Sequence, residues 1–150
     1  PTIAKRFTAV GVESTEDKRR EYRSLIFSPE GLGDFISGVI LFEETLGQIS
    51  LDNLPMPKLL ERQGIVPGIK VDKGKKPLVN APGDEITYGL DGLDDRLEIY
   101  KSQGARFAKW RAVYNVSDTL PSQHDRLRCH TAKSPVAGQR QSRSTICSEL

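Results

Sequence analysis

The sequence predicts an α/β fold built on a parallel sheet. Three observations point there. A short, almost continuous apolar run occupies residues 36–42, a second apolar run residues 65–71, and residues 105–114 supply strand-forming bulk. The segments between them carry apolar residues at helical spacing. The runs also recur at intervals of roughly 30 to 40 residues, which is the rhythm of βα units.

Taken in order, Ile3, Phe7 and Val10 fall at i, i+4 and i+7, predicting a helix from about Thr2 that Gly11 can end. Ser14, Thr15, Glu16 and Asp17 then offer a hydroxyl cap followed by acids at the positive end of a helix dipole. Tyr22, Leu25 and Ile26 form the apolar stripe of that second helix, and Pro29, Gly31 and Gly33 close it. Ile36 to Phe42 is apolar almost throughout, which suits a strand buried on both faces. Pro57 to Gln63 is a short helix with Leu59 and Leu60 inward and Gly64 past its end. Ile65 to Val71 is the second strand. Because proline cannot donate to a ladder, regular pairing is expected only from Gly68, beyond Pro67.

Lys73 to Gly92 is rich in Gly, Pro, Asp and Asn and reads as a long loop. Leu93, Leu97 and Tyr100 then space a helix that Gly104 terminates, and Ala105 to Tyr114 is the third strand, with Phe107, Trp110, Val113 and Tyr114 supplying strand-forming bulk.

At 150 residues, 37% hydrophobic and 28% charged, the chain has the length of about one domain and enough apolar content to bury a core. No apolar run approaches the roughly 20 residues needed to cross a bilayer, and Pro1 to Arg6 lacks the features of a signal peptide. The expectation is a soluble, intracellular protein without a membrane partner. Residues 122–150 carry Arg126, Arg128, Lys133, Arg140 and Arg143 against Asp125 and Glu149, which leaves 17 basic and 18 acidic residues before them. A near-neutral body with a basic end argues against a dedicated nucleic-acid binder. The two cysteines, Cys129 and Cys147, cannot build a disulfide framework. With His124 and His130 they match no zinc spacing, so neither metal nor cofactor is expected. Gly-x-Gly phosphate loops and Ser-His-Asp contexts are absent.

Strands covered by helices are apolar, so charge inside one needs a partner or a site. Lys70 and Asp72 share one face at the end of the second strand, and Lys109 and Arg111 share one face of the third. The C-terminal ends of parallel strands are where such folds bind ligands. Three cations and one carboxylate gathered there suit an anionic, phosphorylated substrate. The alternative is that Lys70 pairs with Asp72, and Lys109 with an acid on a neighbouring strand, as buried salt bridges. From pattern alone Arg6, Arg19 and Arg20 read as solvated helix charges, and Glu43 and Glu44 as either catalytic or loop acids.

Residues 2–6 (Thr-Ile-Ala-Lys-Arg), 36–46 (Ile-Ser-Gly-Val-Ile-Leu-Phe-Glu-Glu-Thr-Leu), 67–74 (Pro-Gly-Ile-Lys-Val-Asp-Lys-Gly), 89–93 (Gly-Leu-Asp-Gly-Leu) and 105–111 (Ala-Arg-Phe-Ala-Lys-Trp-Arg) closely resemble class I fructose-bisphosphate aldolases, in order and spacing. The likeness covers about residues 2–121. It implies a (β/α)8 TIM barrel, of which about three of the eight strands lie here, followed by an irregular C-terminal tail. The implied activity is reversible cleavage of fructose bisphosphate to dihydroxyacetone phosphate and glyceraldehyde phosphate through a lysine imine, without metal, in glycolysis and gluconeogenesis. By position, Lys109 resembles the lysine beside the imine centre that helps to form and polarise it. Arg111 and Lys70 look like substrate-site cations, and Arg6 and Arg19 resemble arginines assigned to substrate phosphate. The resemblance also implies a cytoplasmic or plastid homo-oligomer.

The family's first strand, with its catalytic aspartate, would precede Pro1, and its two glutamates and imine-forming lysine would follow Leu150. Where the family has an amphipathic helix beyond Ser122, this chain has Gln123 to Thr145, with scattered arginines, Pro135 and no aromatic residue. The division expected is therefore a partial aldolase barrel over 1–121 and a basic, poorly ordered or frame-disturbed tail over 122–150. The leading expectation is an aldolase fragment without activity of its own. The alternative is a non-catalytic module that binds phosphometabolites or a protein. A third reading, a basic RNA-binding arm, lacks aromatics for base stacking.

Overall fold

A computed structural model describes residues 2–123 and the backbone of 145–149. In chain order the elements are α1 (Thr2–Ala9), α2 (Glu16–Phe27), a 3-10 turn (Leu32–Asp34), β1 (Gly38–Leu41), α3 (Glu43–Leu46), α4 (Met56–Glu61), β2 (Val66–Lys70), β3 (Lys75–Pro77), β4 (Glu85–Thr87), α5 (Leu93–Ser102), β5 (Phe107–Arg111) and β6 (Thr145–Glu149). The main sheet has the order β1-β2-β5-β6. β1, β2 and β5 are parallel, with Ile40 beside Gly68 and Gly68 beside Phe107. This is the α/β parallel sheet that the sequence predicts.

Alternation along these strands sorts residues onto two faces. Leu41, Ile69, Val71 and Ala108 point outward and join Leu46, Met56, Leu59, Leu60, Tyr100 and Phe27 in the core. Burying each large side chain there contributes about 1.5–3 kcal/mol. The opposite face is open: Ile40, Phe42 and Val66 all remain exposed. β1 is therefore covered on one face only, which corrects the expectation of a strand buried on both. Gly68 sits on this open face because the Phe107 ring lies over it, and a Cβ at Gly68 would come within 2.3 Å of that ring.

Helix α2 begins as expected, with the Lys18 amide donating to Thr15 Oγ1 at 3.2 Å and Glu16 and Asp17 in its first turn. Its buried face differs from the one predicted. Leu25 is 72% and Ile26 43% exposed, whereas Ser24 and Phe27 are buried. The helix docks through Phe27 in the core and through polar contacts: Ser24 Oγ accepts the Leu51 amide at 3.2 Å, and Arg19 and Arg23 reach α3.

Pro67 lies inside β2, opposite Val39, and the ladder starts at Val66, two residues earlier than Gly68. By the register, the N–H that proline lacks would have faced the Ala105 carbonyl. That carbonyl instead accepts from the Arg106 guanidinium at 3.1 Å. The Lys73–Gly92 segment is likewise not all loop, since β3 and β4 form an antiparallel hairpin in which Lys75 pairs with Glu85 and Lys76 lies 5.6 Å from the Tyr88 ring centre. Part of the tail expected to be irregular forms β6, antiparallel to β5 with Lys109 beside Cys147. Thr145 and Ile146 suit a strand, and the β5 edge offers free backbone groups. The expectation of poor order between Gln123 and Thr145 falls on residues 124–144, outside the described ones. Among the described residues no helix is long and apolar enough to cross a membrane.

Candidate functional site

The C-terminal ends of β2 and β5 bring two lysines together. Lys70 and Lys109 are register partners on adjacent strands, about 4.8 Å apart along the sheet, and both belong to the open face. Lys70 Nζ donates to Asp72 Oδ1 at 2.7 Å and to the Asp72 carbonyl at 2.6 Å. It also lies 5.7 Å from the centre of the Phe42 ring, a cation–π distance. Asp72 is 7% exposed, and its Oδ2 is buried without a hydrogen-bond partner. The Lys70–Asp72 ion pair considered from the sequence therefore forms.

Lys109 is half-buried, and among the described residues its ammonium makes no hydrogen bond or ion pair. On β2, the described neighbouring strand, no acid claims it. Arg111 ends β5 on the same face, exposed, while its carbonyl accepts from Thr87 Oγ1 at 2.8 Å and so ties the hairpin to this corner. The result, among the described residues, is two cations without a carboxylate partner beside a third that has one. That arrangement can hold an anionic oxygen and present an amine to a carbonyl.

Arg6 and Arg19 lie apart from this cluster in their bonding. Arg6 is exposed in the last turn of α1 and makes no hydrogen bond or ion pair among the described residues. Arg19, which the resemblance assigns to substrate phosphate, is paired within the chain. Its Nε and an outer nitrogen fork Glu44 at 3.0 and 2.8 Å, and its other nitrogen donates to the Ser14 carbonyl at 2.6 Å. Arg23 also holds Glu44 and reaches Gln48 Oε1 at 3.2 Å. The Arg19 hydrogen bond, followed by that of Arg23, holds the Glu44 carboxyl below the usual carboxylate range, against the opposing effect of burial. The same bond raises Arg19 above its ordinary value. Glu44 is thus an anchor for α2 on α3, and Glu43 is exposed at the start of the same short helix.

One cation was passed over in the sequence. Arg96 on α5 donates to the Val71 carbonyl at 3.1 Å and to the Gly89 carbonyl, and its Nε is buried without a partner. The available signal was its spacing, three residues after Leu93 and four before Tyr100, which puts it on the apolar stripe of the helix.

A family profile described as "Glycolytic: Fructose-bisphosphate aldolase class-I" matches residues 1–137. This chain belongs to the class I fructose-bisphosphate aldolase family. It is 55% identical over 121 residues to the probable fructose-bisphosphate aldolase class 1 of Xanthomonas campestris pv. campestris, covering 81% of this chain and 36% of that protein. It is 56% identical over 115 residues to fructose-bisphosphate aldolase 1 of Toxoplasma gondii, covering 77% and 32%. The solved fructose-bisphosphate aldolase of Plasmodium falciparum, crystallised with TRAP and a small-molecule inhibitor, superposes with a TM-score of 0.78 at 46% identity, covering 82% of this chain and 36% of that one. The chain spans about a third of the length of these aldolases, and its parallel strands form part of their α/β barrel.

Proposed function

We propose that residues 2–121 supply the substrate-holding cations of a Schiff-base fructose-bisphosphate aldolase, which cleaves fructose bisphosphate reversibly to dihydroxyacetone phosphate and glyceraldehyde phosphate. The observation that carries this reading is the Lys70, Asp72 and Lys109 cluster at the C-terminal strand ends of a chain in the aldolase family. Lys109 is the catalytic residue of the set: its unengaged ammonium can donate to the substrate oxygen lost as water when an imine forms. Lys70, Arg111 and Arg6 bind the phosphates. Arg19 contributes only by fixing α2 against α3. The carboxylates and the imine-forming lysine belong to the remaining two thirds of the barrel, so the 150-residue chain by itself is an inactive fragment. The working enzyme is a cytoplasmic homo-oligomer. Its soluble sugar-phosphate substrate supports that location, and a relative in Chlamydomonas reinhardtii named as chloroplastic raises a plastid as the alternative.

The test is a chimera in which this chain replaces the matching 121 residues of the Xanthomonas campestris relative. It should cleave fructose bisphosphate at a rate within about tenfold of the parent relative, a difference of about 1.4 kcal/mol in barrier. A folded but inactive chimera would refute the reading and leave a non-catalytic binding module. The open sheet face bearing Ile40, Phe42 and Val66 is the observation that favours that second reading.

A further inference from the structure

We propose that Arg96 is a positioning residue that holds Lys70 and Asp72 in place by clasping the peptide between them. The proposal rests on the reading of this sheet end as a sugar-phosphate site and adds a residue to it. Val71 is gripped from both sides: its N–H donates to the Lys109 carbonyl at 3.1 Å, and its carbonyl accepts from Arg96 at 3.1 Å. The residues flanking that peptide are Lys70 and Asp72, which form the ion pair. The second Arg96 contact, to the Gly89 carbonyl, closes the base of the loop between Asp72 and Gly89. The loop strands run side by side there, with the Lys73 amide on the Tyr88 carbonyl at 2.9 Å and the Tyr88 amide on the Gly74 carbonyl at 3.0 Å. A Cβ at Gly89 would lie 3.0 Å from the Lys73 nitrogen, so the two chains are already close at the point that Arg96 reaches.

Two features separate Arg96 from an ordinary core strut. Among the described residues it has no carboxylate partner, although it is half-buried. Its Nε is a buried donor left unpaired, an expense that a purely structural contact would avoid by using an apolar side chain. The Arg96 contact to the Val71 carbonyl fixes the backbone that aims Lys70, and its contact to the Gly89 carbonyl ties the neighbouring loop to the same corner.

The experiment uses the isotopically labelled 150-residue chain with Arg96→Met and Arg96→Lys. Arg96→Met should accelerate amide exchange at Val71, Lys73 and Tyr88 by about tenfold or more, because each loses a contact to a charged donor or its neighbour. Exchange at Leu46 and Arg62, in α3 and just past α4, should stay the same. The slowly exchanging Lys70 ammonium signal should disappear in Arg96→Met and partly return in Arg96→Lys, which keeps the charge and reaches one carbonyl. Inorganic phosphate, added as the probe, should shift the Lys70 and Lys109 amides, several-fold more weakly in Arg96→Met and with partial recovery in Arg96→Lys. Unchanged exchange at residues 71–73 and 88 with an unchanged Lys70 signal would overturn the role of Arg96. Equal acceleration at Leu46 and Arg62 in both variants would also overturn it, making Arg96 a strut for the whole fold. If the unsubstituted chain shows no phosphate-dependent shift, the sugar-phosphate reading fails instead, while exchange and the Lys70 signal still decide the clasp.

Discussion

The two faces of one sheet do different work. On the outward face, Leu41, Ile69, Val71 and Ala108 are buried against α4, α5 and the loops around them. On the inward face the same three strands carry Gly68, Lys70, Phe107 and Lys109, with Ile40 and Val66 exposed between them. Because side chains alternate along a strand, each residue serves one face alone. The core and the charged cluster are thereby separated at a spacing of one residue, as at Ile69 and Lys70.

The comparison predicts that substitutions one position apart have opposite signatures. The largest effect is expected at Lys109. In the chimera, Lys109→Met should lower cleavage of fructose bisphosphate by about 10² to 10⁴-fold, the range for losing a positioned proton donor, while urea unfolding is unchanged. Near-normal turnover would make Lys109 structural and erase the distinction. On the other face, Ile69→Ala should cost about 2–5 kcal/mol of stability, read as a shift in the denaturant midpoint, because Ile69 is fully buried.

Gly68→Ala probes the boundary between the two. The added methyl would meet the Phe107 ring, so the ring must move and stability should fall by about 1–3 kcal/mol. Differential scanning calorimetry would detect it, and a second substitution, Phe107→Leu, should recover part of the loss.

The smallest effect concerns acid. Glu44 has its carboxyl lowered in the folded chain by Arg19 and Arg23. Its contribution to stability is therefore present above the carboxyl's unfolded value and is lost as pH falls through its lower folded one. Glu44→Gln should flatten the decline in melting temperature below about pH 4.3, the ordinary glutamate value. An identical decline in both proteins would mean that this network does not stabilise the fold.

Much of this division is readable from the chain alone. The three strands, the Thr15 cap and the shared face of Lys70 and Asp72 follow from periodicity, because each rests on local backbone geometry. The resemblance in residues 36–46, 67–74 and 105–111 identifies the family without reference to a fold. What escapes is set by tertiary contact. The β3–β4 hairpin has strands of three residues among Gly and Pro, too short for a period to register. The buried side of α2 is made by Ser24 and Phe27, so a stripe running through Leu25 and Ile26 misreads it. Arg19 looks available until Glu44, 25 positions away, is seen to occupy it. Pro67 looks disruptive until the Arg106 guanidinium is found on the carbonyl it leaves free.

Under the proposed function, the inward face is an open part of a catalytic site that holds phosphate without forming an imine. Imine formation needs an unprotonated amine, which requires enclosure or neighbouring cations that lower a lysine value of about 10.4. The direct measurement is borohydride reduction in the presence of dihydroxyacetone phosphate, followed by mass spectrometry of the isolated chain and of the chimera. The isolated chain should gain no adduct, and the chimera should gain one, on a lysine contributed by the Xanthomonas campestris segments. Saturable, stoichiometric trapping on Lys70 or Lys109 in the monomeric isolated chain would contradict the account and make these 150 residues a self-sufficient enzyme.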